Sequence, residues 1–272
     1  MARTLLHVLA GLLTVAVAFP FLGRARRQAL RARWSRALLG ILGIELRAEG
    51  VPVAPGCLLV ANHISWIDIF VINALAPAAF VSKAEVRTWP VAGWLAARND
   101  TVFLRRGSRG HARIVNAEIA ALLDAGCNVA VFPEGTTTEG DHVLHFHGAL
   151  LQPAIAAGKP VQALALSYHE AGGARSKAPA YVGDTSFGEC MQAIVGQRRI
   201  VARLHATEPM RTDPDATDRR ELARQAHERI AALVEAAAQP ATCQASPSSS
   251  RTAVSLPPHT QPESSAISPA SR

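Results

Sequence analysis

The chain has 272 residues, 49% of them hydrophobic and only 5% aromatic, with a formal charge of +7. That allows one large or two small domains with a substantial core, and it argues against a surface that stacks nucleic-acid bases. Residues 1–47 hold eight arginines and one acid, Glu45, so the whole surplus lies around an apolar N-terminus. A nucleic-acid binder spreads its cations over a folded face, whereas this placement points to anionic lipid headgroups. The cysteines Cys57, Cys127, Cys190 and Cys243 form no CxxC pair, which suits reduced thiols in a cytosol-facing protein.

Leu5 to Leu22 is an apolar run interrupted only by His7, Gly11, Thr14 and Pro20. As a helix it would be about 27 Å long, just short of a bilayer core. Ala16-Val17-Ala18 looks like a small-x-small cleavage site, which keeps a signal peptide in view. Against that, six arginines follow between Arg24 and Arg36, and such a cluster holds its side of an apolar helix in the cytoplasm. The expectation is a retained transmembrane or half-inserted helix. Trp34 to Leu46 is a second apolar segment, too short to span. It reads as an interfacial helix with arginines at headgroup level, or else as an ordinary core helix.

From Gly50 onward short apolar or β-branched runs alternate with helical stretches. Strands are predicted at 57–61, 79–82, 101–104, 128–132, 161–167 and 199–205. Helices are predicted at 66–75, 84–97 (bent at Pro90), 109–125, 148–157, 187–196 and 215–238. Within 109–125, Ile114, Val115, Ile119, Leu122 and Leu123 share a stripe and Gly126 supplies a stop. The alternation predicts an α/β fold: a mixed, largely parallel sheet flanked by helices, with an N-terminal membrane-associated helical hairpin and a disordered C-terminal tail. The expected divisions are 1–48 for the anchoring helices, 49–238 for the α/β domain and 239–272 for a Ser-, Pro- and Thr-rich tail that buries too little to order.

Function in such sheets gathers at strand ends, and three ends carry polar groups. The first is Asn62-His63-Ile64-Ser65-Trp66-Ile67-Asp68, after the strand 57–61. Positions i and i+5 lie about 140° apart on a helix. His63 and Asp68 can therefore meet only if His63 precedes the helix and the chain turns between them, with Ser65 a suitable N-cap. Asp68 would then hold one imidazole nitrogen and aim the other outward as a base. The alternative is a loop closed by two polar side chains. The second end is Phe132-Pro133-Glu134-Gly135-Thr136, whose carboxylate can accept bonds from substrate hydroxyls, or which is simply a turn. The third, Phe103-Leu104-Arg105-Arg106-Gly107, offers arginines that can grip a phosphate bidentately, or that are merely solvated.

Together, Asn-His-x4-Asp, the strand ending in Arg105 and FPEGT resemble the glycerolipid acyltransferases, notably the bacterial 1-acylglycerol-3-phosphate acyltransferases, over about residues 35–210. Lys159-Pro160-Val161 and its strand match a fourth family stretch. The resemblance implies a membrane-bound O-acyltransferase that passes an acyl group from acyl-CoA or acyl carrier protein directly to the hydroxyl of 1-acylglycerol-3-phosphate. It implies His63 as general base, Asp68 as its orienting group, Arg105 on the acceptor's phosphate, and Glu134 with Gly135 on the glycerol region. Asn62, Phe103 and Thr136 complete the implied substrate-binding set. No metal or organic cofactor and no nucleic acid are implied. The partners are a lysolipid, the acyl donor and membrane lipids, at the cytoplasmic side of a bacterial inner membrane.

Two departures bear on the acceptor. The family's FPEGT usually continues with arginine, where this chain has Thr137 and Thr138. His142, His145 and His147 stand where relatives often carry a lysine near a phenylalanine. Relatives with FPEGTTT include enzymes thought to acylate lyso-ornithine lipid, so that acceptor is the alternative. Other classes fit less well. The histidines with Asp141 lack the spacing of a known zinc site, and neither Ser108 nor Ser186 sits in Gly-x-Ser-x-Gly. A non-catalytic membrane-binding module would leave the three strand ends unexplained.

Overall fold

Seven strands form one sheet in the order β1-β7-β6-β2-β5-β3-β4. They are β1 (Ile44–Gly50), β2 (Leu58–Ala61), β3 (Ala78–Lys83), β4 (Val102–Leu104), β5 (Asn128–Val131), β6 (Val161–Glu170) and β7 (Ile200–Ala206). Every neighbouring pair is parallel except β6 with β7. The computed structural model describes residues 2–105 and 109–238, so the expectations for Arg106, Gly107 and the tail from Gln239 lie outside the described residues.

The four parallel strands β2, β5, β3 and β4 are short and apolar, as strands covered on both faces must be. Their alternation splits the core in two. Leu59, Ala61 and Ala130 face one layer with helices α2 (Arg24–Ile41), α3 (Asp68–Leu75) and α7 (Phe187–Gly196). Leu58, Val60, Val129 and Val131 face the other with α5 (Arg109–Asp124), α6 (Gln152–Ala156) and α8 (Arg219–Ala236). On α5 the buried stripe is Val115, Ile119 and Leu123, while Ile114 is exposed. Gly126 closes that helix in the left-handed region, φ 75°.

Helix α1 (Ala2–Leu13) runs on through a π turn (Thr14–Ala18) and a 3-10 turn (Phe19–Phe21) containing Pro20. Ala2–Phe21 is long and apolar enough to cross a membrane. Leu5, Leu6, Leu9, Leu13, Val17 and Phe21 are 53–86% exposed. Its other side turns back on α2. His7 stacks on Trp34 at 4.7 Å and the two residues exchange hydrogen bonds. Gly11 makes room, since a side chain there would collide with the Trp34 indole.

Several expectations shift. The segment 34–46 is not one interfacial helix. Leu38, Leu39 and Leu42 enter the core, and the chain turns at Gly43 into β1, an edge strand beside β7. The boundary expected at 48/49 therefore falls inside a strand, and the described residues form one compact unit. Two of the arginines counted as lipid-facing serve the fold. Arg31 is buried and binds Asp100, Asn99 and the Ala78 carbonyl. Arg47 pairs with Glu45 at the sheet edge. The predicted helix 84–97 is a 3-10 turn (Ala84–Thr88) and α4 (Ala92–Arg98), separated at Pro90 and Val91. The predicted 148–157 divides likewise into a 3-10 turn (Gly148–Leu151) and α6. Helix α8 starts later than Asp215, because Asp218 caps it by accepting from the Arg220 and Glu221 amides.

Candidate active site

The parallel strands β2, β5, β3 and β4 deliver His63, Glu134 and Arg105 to one edge. Val60 lies beside Val131, Phe80 beside Ala130 and Lys83 beside Leu104. His63 and Arg105 thus stand three strand spacings apart, about 14 Å along the edge.

His63 precedes α3, and Asp68 is that helix's first residue, as the angular argument requires. His63 Nδ1 donates to Asp68 Oδ2 at 2.8 Å. A carboxylate only accepts, so Nδ1 carries a proton, and in the neutral imidazole Nε2 keeps its lone pair. Among the described residues Nε2 has no partner, and the side chain is 21% exposed. Phe132 stacks on the imidazole at 4.0 Å and fixes its plane.

The turn between the two residues is held by Asp68, not by Ser65. Asp68 Oδ2 also accepts from the amides of Ile64 (2.7 Å) and Ser65 (2.9 Å). The Ser65 hydroxyl is buried and has no hydrogen-bond partner among the described residues. Asp68 Oδ1 accepts from the Tyr168 hydroxyl at 2.6 Å. Four donors compensate the burial of this carboxylate, and its place at the N-terminus of α3 adds the helix dipole. Burial, and then the Asp68 charge, push the Tyr168 phenol well above its usual value, which keeps it a proton donor.

Tyr168 was not singled out from the sequence. It lies on β6, 100 residues from Asp68, in a run that reads as ordinary strand. Tyr168→Phe removes one donor from a charged acceptor. A loss of about 1.5–3 kcal/mol of stability is expected, with a several-fold drop in kcat as Asp68 loosens. Thermal unfolding and initial rates check this, and an unchanged Tm would show that the hydroxyl carries nothing.

Glu134 has a structural task that the sequence does not show. Its Oε1 accepts the His63 amide at 2.7 Å and its Oε2 the Leu144 amide at 2.8 Å. It is buried, and burial raises its pKa against the lowering effect of those two amides. The Thr138 amide donates to the His63 carbonyl at 2.9 Å, so the FPEGTTT segment grips the His63 peptide from both sides. Glu134 thus clamps the backbone of the His63 turn. Gly135 permits the turn at φ 72°.

Asn62 is likewise engaged by the backbone. Its amide exchanges two hydrogen bonds with the Leu166 backbone, and it is fully buried, with no surface open to a substrate. It continues the β2–β6 ladder by one side-chain step. Phe103 is half-buried with the Arg87 guanidinium over its ring at 5.6 Å. Arg105 and Thr136 are exposed, with no side-chain hydrogen bond to a described residue, and remain open to a ligand. Lys83, exposed at the end of β3, is a second cation between Glu134 and Arg105 that sequence reasoning passed over. Among the described residues no group of three or more His, Cys, Asp or Glu is placed to hold a metal ion.

The family model "Acyltransferase" matches residues 44–167, from β1 to β6. A lyso-ornithine lipid O-acyltransferase from Pseudomonas aeruginosa is 42% identical over 204 residues, covering 75% of this chain and 78% of that protein. A 1-acyl-sn-glycerol-3-phosphate acyltransferase from Neisseria gonorrhoeae is 35% identical over 182 residues, covering 66% and 71%. Among solved structures, the 1-acyl-sn-glycerophosphate acyltransferase PlsC from Thermotoga maritima superposes with a TM-score of 0.60 at 22% identity, over 86% of this chain and 96% of that one, which shows a shared fold.

Proposed function

The chain belongs to the glycerolipid acyltransferase family, and on that premise we propose that it esterifies the free hydroxyl of lyso-ornithine lipid at the cytoplasmic face of a bacterial inner membrane, with acyl-CoA or acyl carrier protein as donor. The observation that carries the chemistry is the His63 Nδ1 to Asp68 Oδ2 bond, which leaves Nε2 as an outward-facing base. The acceptor hydroxyl donates to Nε2. As its oxygen attacks the thioester carbonyl, the proton passes to the imidazole and Asp68 stabilises the imidazolium. Collapse of the tetrahedral adduct breaks the C–S bond, and the thiolate takes that proton. No acyl-enzyme is needed.

The acceptor assignment rests on two points. The 42% identical relative is named for lyso-ornithine lipid. Thr137 and Thr138 replace the family's arginine, and their hydroxyls are used on the Tyr181 and His142 carbonyls. Arg105 would hold the carboxylate of the amino-acid headgroup bidentately. A second reading, 1-acylglycerol-3-phosphate, is favoured by the pair of open cations Lys83 and Arg105 at adjacent strand ends.

The membrane reading rests on α1, whose exposed leucines project away from α2. Exposed Arg24, Arg26, Arg33 and Arg36 follow on α2 at headgroup level. Trp34 of α2 in turn contacts Phe70 of α3, the helix that begins with Asp68. A lysolipid with its tail in the bilayer thus reaches His63 from the α2–α3 layer.

Purified protein in lipid vesicles, offered lyso-ornithine lipid and lysophosphatidic acid in parallel with labelled acyl-CoA, tests the assignment. Higher kcat/KM with lyso-ornithine lipid is expected, and preference for lysophosphatidic acid would overturn it. Arg105→Ala should raise the acceptor's KM by about 10- to 100-fold, the worth of a charge-assisted hydrogen bond. An unchanged KM would move the anion contact elsewhere.

A further inference from the structure

On the opposite layer of the sheet, the segment 145–149 and the first turns of α8 form the walls of an open cavity of about 490 Å³. It is lined by His145, His147 and His227 with Arg219, Arg220 and Arg224, and by no aspartate or glutamate. The three arginines differ in what they have left to offer. Arg224 is already paired with Glu221 and Glu228. Arg219 and Arg220 are exposed, and neither side chain makes an ion pair or hydrogen bond to a described residue. His145 and His147 meet each other edge to face at 6.1 Å, and their rings make no hydrogen bond to a described residue. Gly148 lets this segment close on the Arg219 backbone, where a side chain would collide. The result is a concave site of ligand-binding size with unspent positive charge.

Its position gives it a relation to the acyl-transfer site. Phe132, against which His63 stacks, belongs with the α2–α3 layer, while Phe146 beside the cavity is buried in the α5–α8 layer. The two sites therefore lie back to back across the sheet edge. Glu134 joins them. One of its oxygens holds the His63 amide and the other the Leu144 amide, and the next turn is fixed by the His147 amide on the Pro133 carbonyl. A ligand in the cavity sits just past the strand edge from His63, on the side away from α1 and its apolar surface. That position and its unspent positive charge suit a soluble polyanion.

Resting on the reading of the chain as a thioester-dependent acyltransferase, we propose that this cavity binds the phosphates of a nucleotide-type acyl carrier, coenzyme A, with Arg219 and Arg220 on the phosphate oxygens. The pantetheine arm would then round the sheet edge and present the thioester at His63. The lysolipid arrives from the membrane layer and the donor from the opposite one.

Binding is measured without turnover, by titrating free coenzyme A, 3′-dephospho-coenzyme A and pantetheine 4′-phosphate into the full chain in detergent. The double variant Arg219→Ala/Arg220→Ala changes two exposed side chains, and its Tm verifies the fold. The variant should raise the Kd for coenzyme A by about 10- to 100-fold, as loss of charge-assisted bonds requires. It should raise the KM for acyl-CoA by a similar factor and leave the KM for the lysolipid where it was. In the wild type, removing the 3′-phosphate should weaken binding, and that difference should shrink in the variant. A Kd for coenzyme A unmoved by the double substitution overturns the proposal. So does pantetheine 4′-phosphate binding as tightly as coenzyme A, which would assign the site to a protein carrier's arm. A wild-type chain that binds coenzyme A through these arginines yet transfers no acyl group would instead sink the acyltransferase reading and leave the site standing.

Discussion

Asparagine at position 68 is expected to leave the fold largely intact and to lower acyl transfer by about 10²–10⁴-fold. Three donors converge on Asp68 Oδ2, so an asparagine places its carbonyl oxygen there and keeps the bonds from His63, Ile64 and Ser65. Its amide nitrogen then takes the Oδ1 position and donates to the Tyr168 hydroxyl, which reverses its role. Each bond changes from charge-assisted to neutral, about 1 kcal/mol weaker, and the cost of burying a carboxylate disappears at the same time. Those terms oppose each other, so Tm should fall by only a few degrees. The charge that stabilises the imidazolium in the proposed mechanism has no replacement. The pairing of a small Tm change with a large loss of kcat separates an orienting charge from a structural one. A kcat within about threefold of wild type would demote Asp68 to a turn-holding residue.

The His63–Asp68 pair was legible because its geometry is local. Five residues, a strand before and a helix after leave one way for the side chains to meet, and the helix does begin at Asp68. The strand ends at Arg105 and Glu134 were legible for the same reason, as apolar runs that stop at a charge. The tasks of these residues were less so. The backbone task of the Glu134 carboxylate depends on Leu144, which a separate loop brings to it. Asn62 is spent on Leu166, 104 residues away, so only the strand order could reveal it. Tyr168 was hidden by alternation, because a core tyrosine and a hydrogen-bonding one look alike in a strand. The first strand was misread for a simpler reason: Ile44 and Leu46 continue the apolar pattern of α2, and helix and strand cannot be told apart over so short a run.

His63→Ala is the second large effect. The imidazole gives the fold one hydrogen bond and a stacking contact with Phe132, and Asp68 keeps its other three donors when the ring is gone. A stability loss of about 1–2 kcal/mol follows, and vesicle binding through α1 should be untouched. On the proposed mechanism chemistry loses its base: no other described side chain bonds to Asp68 Oδ2, so none is positioned to replace the imidazole. The most direct test is a single turnover of labelled acyl-CoA with lysolipid in vesicles, comparing wild type and His63→Ala at matched folded fraction. A rate about 10²–10⁴-fold lower in the variant is the expected result. A rate near that of the wild type would contradict the assignment of His63 as the base.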